Sequence, residues 1–235
     1  MTKMTDEELK LSEEAFQWIK INRKSIIEKF AGVAEYAADE LPTTIFMAGS
    51  PGAGKTEISK RFAPRFKQKP IRIDADEIRT ICPGYLGSNA HVFQRAATKG
   101  VHILYTYALK NNINIIMDGT FAYNGAMENI KRSLDYGRKV EIFFVYQDPL
   151  QAWDFTQKRE ALEQRRVSKE VFIEASFRAR ENVNKAKEIF GSKIEINLII
   201  KDFEKDLEQL EINIENIDLY IKKGYTKEEL EKLLI

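Results

Sequence analysis

The chain has 235 residues, 43% hydrophobic and 31% charged, with 37 Lys+Arg against 36 Asp+Glu. That balance excludes a bulk basic surface for long nucleic-acid tracts or an anionic membrane, and leaves room only for a local basic groove. One cysteine, Cys82, excludes an intrachain disulfide and a cysteine-based zinc site.

Residues Asp6 to Asp39 read as one or two helices. Thr5 with Glu8 forms a capping-box pattern, and Leu9, Phe16, Ile19, Ile26, Ile27 and Phe30 recur at helical spacing. A packed buttress is the expected role. A segment that binds a partner or inhibits in cis is the sharper alternative. An apolar strand follows at Thr43–Ala48. After a glycine-rich loop, a helix runs through Glu57–Phe62 and stops at Ala63-Pro64, where proline disfavours continuation. Pro70–Asp74 reads as a second strand, Ala90–Leu109 as a long helix, and Ile113–Met117 as a buried strand. Gly125–Tyr136 reads as helix and Val140–Tyr146 as strand. Two charged helices cover Leu150–Arg165 and Lys169–Phe190, and Ile194–Ile200 is a fifth strand. The tail from Phe203 reads as helical, with a last short helix near Tyr225.

Strands alternating with helices predict an α/β fold: a mostly parallel, five-stranded sheet flanked by helices. No apolar run is long enough to span a membrane, and the first residues, Met1-Thr2-Lys3-Met4-Thr5, carry no signal core. The expected location is the cytoplasm, with no membrane partner. His91 and His102 sit outside any metal-ligand spacing and are expected on helix faces; Cys82 is expected to be packed.

Gly49-Ser50-Pro51-Gly52-Ala53-Gly54-Lys55-Thr56 fills every fixed position of the phosphate-loop pattern G-x-x-x-x-G-K-[ST]. Strand before and helix after are the context the pattern needs. Glycines let backbone N–H groups close around phosphate oxygens, and the helix N-terminus adds partial positive charge. Lys55 reaches the β- and γ-phosphates, and Thr56 can ligate Mg²⁺. ATP and Mg²⁺ are the expected cofactors. Asp74 and Asp76 follow the second strand, where a kinase needs a carboxylate to orient and deprotonate a hydroxyl; either acid also suits a helix cap. Asp118 ends the third strand and suits a metal-holding role or an acceptor contact. Arg159, Arg165 and Arg166 follow the fourth strand, where a lid can lower guanidinium groups onto the transferring phosphate. The chain divides into a helical extension (residues 1–40), a nucleotide core (41–202) with its lid region (150–190), and a tail (203–235).

The loop, then Ile73-Asp74-Ala75-Asp76-Glu77-Ile78-Arg79, then Cys82-Pro83-Gly84-Tyr85, then Asp118-Gly119-Thr120, resemble the zeta-toxin family of P-loop kinases, across about Thr43 to Ile200. The resemblance implies transfer of the ATP γ-phosphate to the 3′-hydroxyl of a UDP-activated amino sugar, typically UDP-N-acetylglucosamine, by a toxin held in check by an antitoxin protein. It makes Asp76 the general base, Lys55 and Thr56 the ATP and Mg²⁺ residues, and Asp74, Arg79, Asp118 and Thr120 acceptor-side residues. Arg159 with Arg165 or Arg166 become the lid arginines, Arg166 at the transferring phosphate and Arg165 at the nucleotide. Family members often read Gly-Thr-Gly-Arg where this chain has Gly119-Thr120-Phe121-Ala122, so that arginine is missing here. Two other readings stay open: a 5′-hydroxyl polynucleotide kinase or other metabolite kinase, although nucleic acid is disfavoured by the charge balance, and a nucleotide-binding regulatory switch.

Overall fold

The computed structural model of the chain describes residues 4–163, 167–202, 207–221 and 224–235. Helix α1 (Asp6–Ile21) opens on the expected capping box: Glu8 N donates to Thr5 Oγ1 at 3.2 Å and Thr5 N donates to Glu8 Oε2 at 2.9 Å. Helix α2 (Arg23–Ala31) follows, then β1 (Thr43–Ala48), α3 (Lys55–Phe62), β2 (Ile71–Asp74) and the short α4 (Ala75–Thr80). Next come α5 (Gln94–Lys110), β3 (Ile115–Asp118), α6 (Ala126–Asp135) and β4 (Lys139–Gln147). The chain continues with α7 (Pro149–Glu163), α8 (Lys169–Phe190), β5 (Glu195–Asp202), β6 (Leu207–Glu211) and α9 (Lys227–Leu233).

The sheet order is β2-β3-β1-β4-β5-β6, with β1 to β5 parallel. Strand β1 lies in the middle, so the chain leaves its carboxyl end between β3 and β4. That is the switch point where α/β sheets bind ligands. Arg138, buried at the opposite edge, donates Nε to Thr44 Oγ1 at 2.7 Å and Nη2 to the carbonyls of Thr43 and Ile113 at 3.0 and 2.5 Å. It thereby ties β1 to the segment entering β3.

The sheet has six strands where the sequence predicts five. Strand β6 pairs antiparallel with β5, Leu210 opposite Ile199 and Glu208 opposite Lys201. Leu207 and Leu210 at a spacing of three, amid Glu and Gln, read locally as helix. The unpaired N–H and C=O groups along the edge of β5 outweigh that preference, and the glutamates of β6 give the new edge a charged border. The tail expected to be helical from Phe203 is therefore a strand at Leu207–Glu211, and residues 203–206 lie outside the described residues. Helix α5 also starts later than predicted, at Gln94, because residues 88–93 form turns.

Apolar side chains cover both sheet faces. On one face, α3 packs Ile58 onto Ile45, Met47, Ile116, Val145 and Ile199. On the other, α5, α6 and α8 pack onto Phe46, Ile73, Ile142, Phe144 and Leu198. Helices α1 and α2 belong to this second cluster through Ala15, Ile19, Ile26 and Ala31. The buttress is thus the arrangement present. Gly100 permits the close approach: a Cβ there would lie 2.6 Å from Ile78 Cγ2 and 3.7 Å from Ile19 Cδ1. Ile19→Ala is expected to cost about 2–5 kcal/mol, the usual penalty for a buried large-to-small change. Urea unfolding measures it; a change under about 0.5 kcal/mol, the range of surface substitutions, would remove α1 from the core. Among the described residues, no helix is long and apolar enough to cross a membrane.

Candidate functional site

The loop between β1 and α3 takes up left-handed backbone at Gly52 and Gly54, with φ of 73° and 86°. At Gly52 a side chain is also excluded by space: a Cβ would lie 2.0 Å from the Ala152 carbonyl oxygen and 2.6 Å from Thr156 Oγ1. Helix α7 therefore rests directly on the loop. Trp153 and Phe172 stack edge to face at 5.1 Å, and Leu230 and Leu234 join them, so α8 and α9 brace α7 from behind. Tyr225 Oη adds a hydrogen bond to Asp148 Oδ2 at 3.2 Å.

Lys55 is buried under the loop and donates Nζ to the Ser50 carbonyl at 2.6 Å. Burial pulls its pKa down to about 8; Asp118 opposes that shift and Arg159 adds to it. The cation is thus held in an apolar setting where a phosphate charge would stabilise it strongly. One turn on, Ser59 Oγ lies 3.0 Å from the Thr56 carbonyl oxygen and 2.8 Å from Asp118 Oδ2. Thr56 and Ser59 share a helix face, so Thr56 faces the neighbourhood of Asp118.

Strand register sets two acids side by side: Asp74 of β2 pairs with Asp118 of β3. Their carboxylates converge on Arg72, whose Nη1 lies 2.7 Å from Asp118 Oδ2 and 3.2 Å from Asp74 Oδ2, while Nη2 meets Glu77. Burial first, and then the charge of Asp118, raise the pKa of Asp74. Asp74 also caps α4, accepting from Asp76 N at 2.8 Å through Oδ1. The capping role foreseen for this acid pair therefore falls to Asp74 alone. Asp76, on the first turn of α4, pairs with Arg79 Nη1, and Arg159 Nη2 of α7 stands 3.9 Å from its Oδ2. Arg79 is buried and hydrogen-bonded to Gln94; burial lowers its pKa, and its Nε finds no hydrogen-bond partner among the described residues.

Six of the residues singled out from sequence thus meet on one rim: Lys55, Asp74, Asp76, Arg79, Asp118 and Arg159. Thr120 joins through its backbone, its carbonyl accepting from Gly49 N at 3.2 Å, while its Oγ1 accepts from Ala122 N. Phe121 turns away from the rim. It is buried against Phe46, ring centroids 5.6 Å apart, at a φ of 63° that few aromatic residues adopt. Arg165 and Arg166 lie outside the described residues. Arg72 and Ser59 were missed. Arg72 left a signal, as a charge inside the otherwise apolar Ile71–Ile73 strand; Ser59 left only its spacing of three from Thr56.

Arg72→Met would leave three carboxylates facing one another. Global stability at pH 7 is expected to fall by about 3 kcal/mol, as for loss of one partner of a largely buried pair. Arg72 opposes the rise that burial gives Asp74, so without the cation the folded-state pKa of Asp74 would lie still further above its unfolded value. The deficit should therefore be present at neutral pH and shrink as pH falls through the folded-state pKa. Equal deficits at pH 4.5 and 7.5 in urea melts would refute it.

The Zeta toxin family model matches residues 10–213. No curated protein matches the chain. Among solved structures, one from the PezAT chromosomal toxin-antitoxin system of Streptococcus pneumoniae is similar at a TM-score of 0.60 and 18% identity, covering 99% of this chain and 89% of that one. An AvrRxo1-ORF1:-ORF2 complex with ATP is similar at a TM-score of 0.61 and 16% identity, covering 91% and 71%. At such identities these likenesses speak for the fold.

Proposed function

The chain belongs to the zeta toxin family, and from that premise we propose that this P-loop kinase moves the γ-phosphate of ATP to a hydroxyl of a UDP-activated amino sugar resembling UDP-N-acetylglucosamine. The observation that carries the reading is Asp76. It stands on the acid rim beside the phosphate loop, held by Arg79 and approached by Arg159 from the helix that covers the loop. A carboxylate hydrogen-bonded by one arginine and faced by a second is held in a fixed orientation, as a proton acceptor must be.

In the proposed step, the acceptor hydroxyl points at Asp76. Its oxygen forms the new bond to the γ-phosphorus, the bond from that phosphorus to the β–γ bridging oxygen breaks, and the hydroxyl proton passes to the Asp76 carboxylate. ADP leaves with the bridging oxygen. Lys55 changes partner from the Ser50 carbonyl to phosphate oxygens, and Arg159 balances the charge that spreads over the equatorial oxygens. Of the other rim residues, Asp74 holds α4 in place, and Arg79 and Thr120 border the acceptor. Arg165 and Arg166 are proposed to extend the lid.

Among the described residues, no cluster of three or more His, Cys, Asp or Glu could hold a metal unaided. The donor set still fits Mg²⁺, which takes one or two protein oxygens and completes its shell with phosphate and water. Thr56 and Asp118 would hold it, and bound there it would neutralise charge between the β- and γ-phosphates.

As toxin of a toxin–antitoxin pair, the protein would act in the cytoplasm, where ATP and nucleotide sugars occur, and a partner protein would restrain it by covering this rim. Incubation with ATP, Mg²⁺ and a panel of UDP-sugars, nucleosides and 5′-hydroxyl oligonucleotides, read by mass spectrometry, tests the acceptor. A gain of 80 Da by a UDP-amino sugar, about the mass of one PO₃ unit, is expected. Labelling of an oligonucleotide instead would establish a polynucleotide kinase, and ADP release without a labelled acceptor would favour a nucleotide switch.

A further inference from the structure

Charged side chains stand on both flanks of the phosphate loop. On the β3–β2 side stand Asp118, Asp74 and Asp76. On the other side, beyond β4, strand β5 carries Lys201 one residue before its end at Asp202, in register with Gln147 of β4 and opposite Glu208 of β6. Its side chain reaches back over the loop. A Cβ at Gly54 would lie 2.5 Å from Lys201 Nζ, 3.5 Å from its Cδ and 3.5 Å from Glu57 Oε2, so the ammonium, with a carboxylate close by, occupies the space that this glycine leaves open. The corner that carries Lys201 is fastened down, because Glu208 pairs with Arg61 of α3 at 2.8 and 2.9 Å. Lys201 is consequently held above the first turn of α3, on the flank opposite Asp118, Asp74 and Asp76, with the Glu57 carboxylate of α3 near the same corner.

A triphosphate seated on this loop has one end fixed by chemistry. The γ-phosphate must face Asp76 and Arg159, on the α4 side. The remainder of the nucleotide then leaves the loop toward β4 and β5, where Lys201 waits. We propose that Lys201 is a nucleotide-binding residue that contacts the donor at its α-phosphate end and takes no part in the transfer. The inference rests on the reading of the loop as an ATP site. It assigns to β5 a residue that no motif in the sequence marks. A contact made equally in ATP, in the transition state and in ADP contributes uniform binding: its loss raises Kd and KM and leaves kcat alone.

Lys201→Met keeps most of the aliphatic stem and removes the charge; Lys201→Arg keeps the charge. Calorimetric titration with ADP, and separately with ATP, is expected to show both affinities about tenfold weaker in K201M by the same factor, the size of a charged hydrogen bond, and restored in K201R. The thermal midpoint without nucleotide should be the same in all three proteins. Unchanged ADP affinity in K201M would overturn the assignment. So would a loss confined to ATP, which would place Lys201 at the γ-phosphate, or a K201R as weak as K201M, which would make the side chain a packing element. If the unaltered protein binds neither nucleotide, the loop reading falls and this inference with it; binding by the unaltered protein that K201M matches overturns this inference alone.

Discussion

Asp76→Asn is expected to lower phosphoryl transfer by about 10²–10⁴-fold, the usual contribution of a general base. The amide has nearly the shape of the carboxylate and can still accept from Arg79 Nη1, so α4 should keep its place. What disappears is the capacity to take a proton. ATP affinity should stay within about twofold, since the base acts on the acceptor and not on the donor. The combination is diagnostic. Transfer lost with binding kept identifies Asp76 as the base, and a variant that transfers at the normal rate would remove that role. Transfer and binding lost together would mean that the Asp76–Arg79–Arg159 contacts shape the donor site.

The next largest effect concerns Lys55. Its pKa of about 8 in the nucleotide-free protein has burial as its first cause. Phosphate oxygens stabilise the charged form, so the lysine binds its proton more tightly once ATP is present. Below about pH 8 the lysine is charged before and after binding, and affinity should be flat with pH. Above it, binding must take up a proton, and affinity should weaken by up to tenfold per pH unit until the pKa of the complex is reached. The same shift acts on the empty protein with the opposite sign. The folded-state pKa lies below the unfolded value, so the unfolded chain binds more protons between the two, and stability should rise with pH across that window. Lys55→Met should abolish the affinity slope and lower transfer by about 10²–10³-fold, as for removal of one preorganised charge-stabilising group. Calorimetry from pH 6.5 to 9.5 follows both. An affinity that is flat across pH 9 in the unaltered protein would contradict a buried lysine at the loop.

Much of this site is legible in the sequence. The loop Gly49–Thr56 is a local device: its glycines, its lysine and its following helix lie within a dozen residues, so spacing alone identifies it. Asp74, Asp76 and Asp118 were visible as acids ending apolar strands, because strand ends in a parallel sheet face one rim. The division of labour between Asp74 and Asp76 was not visible. Both positions suit a cap, and it is the backbone of α4 that puts Asp76 N against Asp74 Oδ1 and turns the Asp76 side chain toward Arg159.

Arg72 and Lys201 were missed for another reason. Each acts on groups far away in sequence, Arg72 on Asp118 across a strand pair and Lys201 on Gly54 across the sheet, and neither sits in a motif. Phe121 shows the converse. Sequence placed an aromatic residue at the acceptor edge; a left-handed backbone turns it into the core against Phe46.

The order of strands and helices, the donor loop and the acids of the rim follow from short-range pattern, because periodicity and glycine spacing act over a few residues. The sixth strand, the seat of α7 on Gly52, the Arg72 carboxylate cluster and the reach of Lys201 follow from packing. Edge pairing, desolvation and charge compensation depend on which distant segments become neighbours, and those forces outweigh local preference by several kcal/mol wherever buried polar groups must be matched.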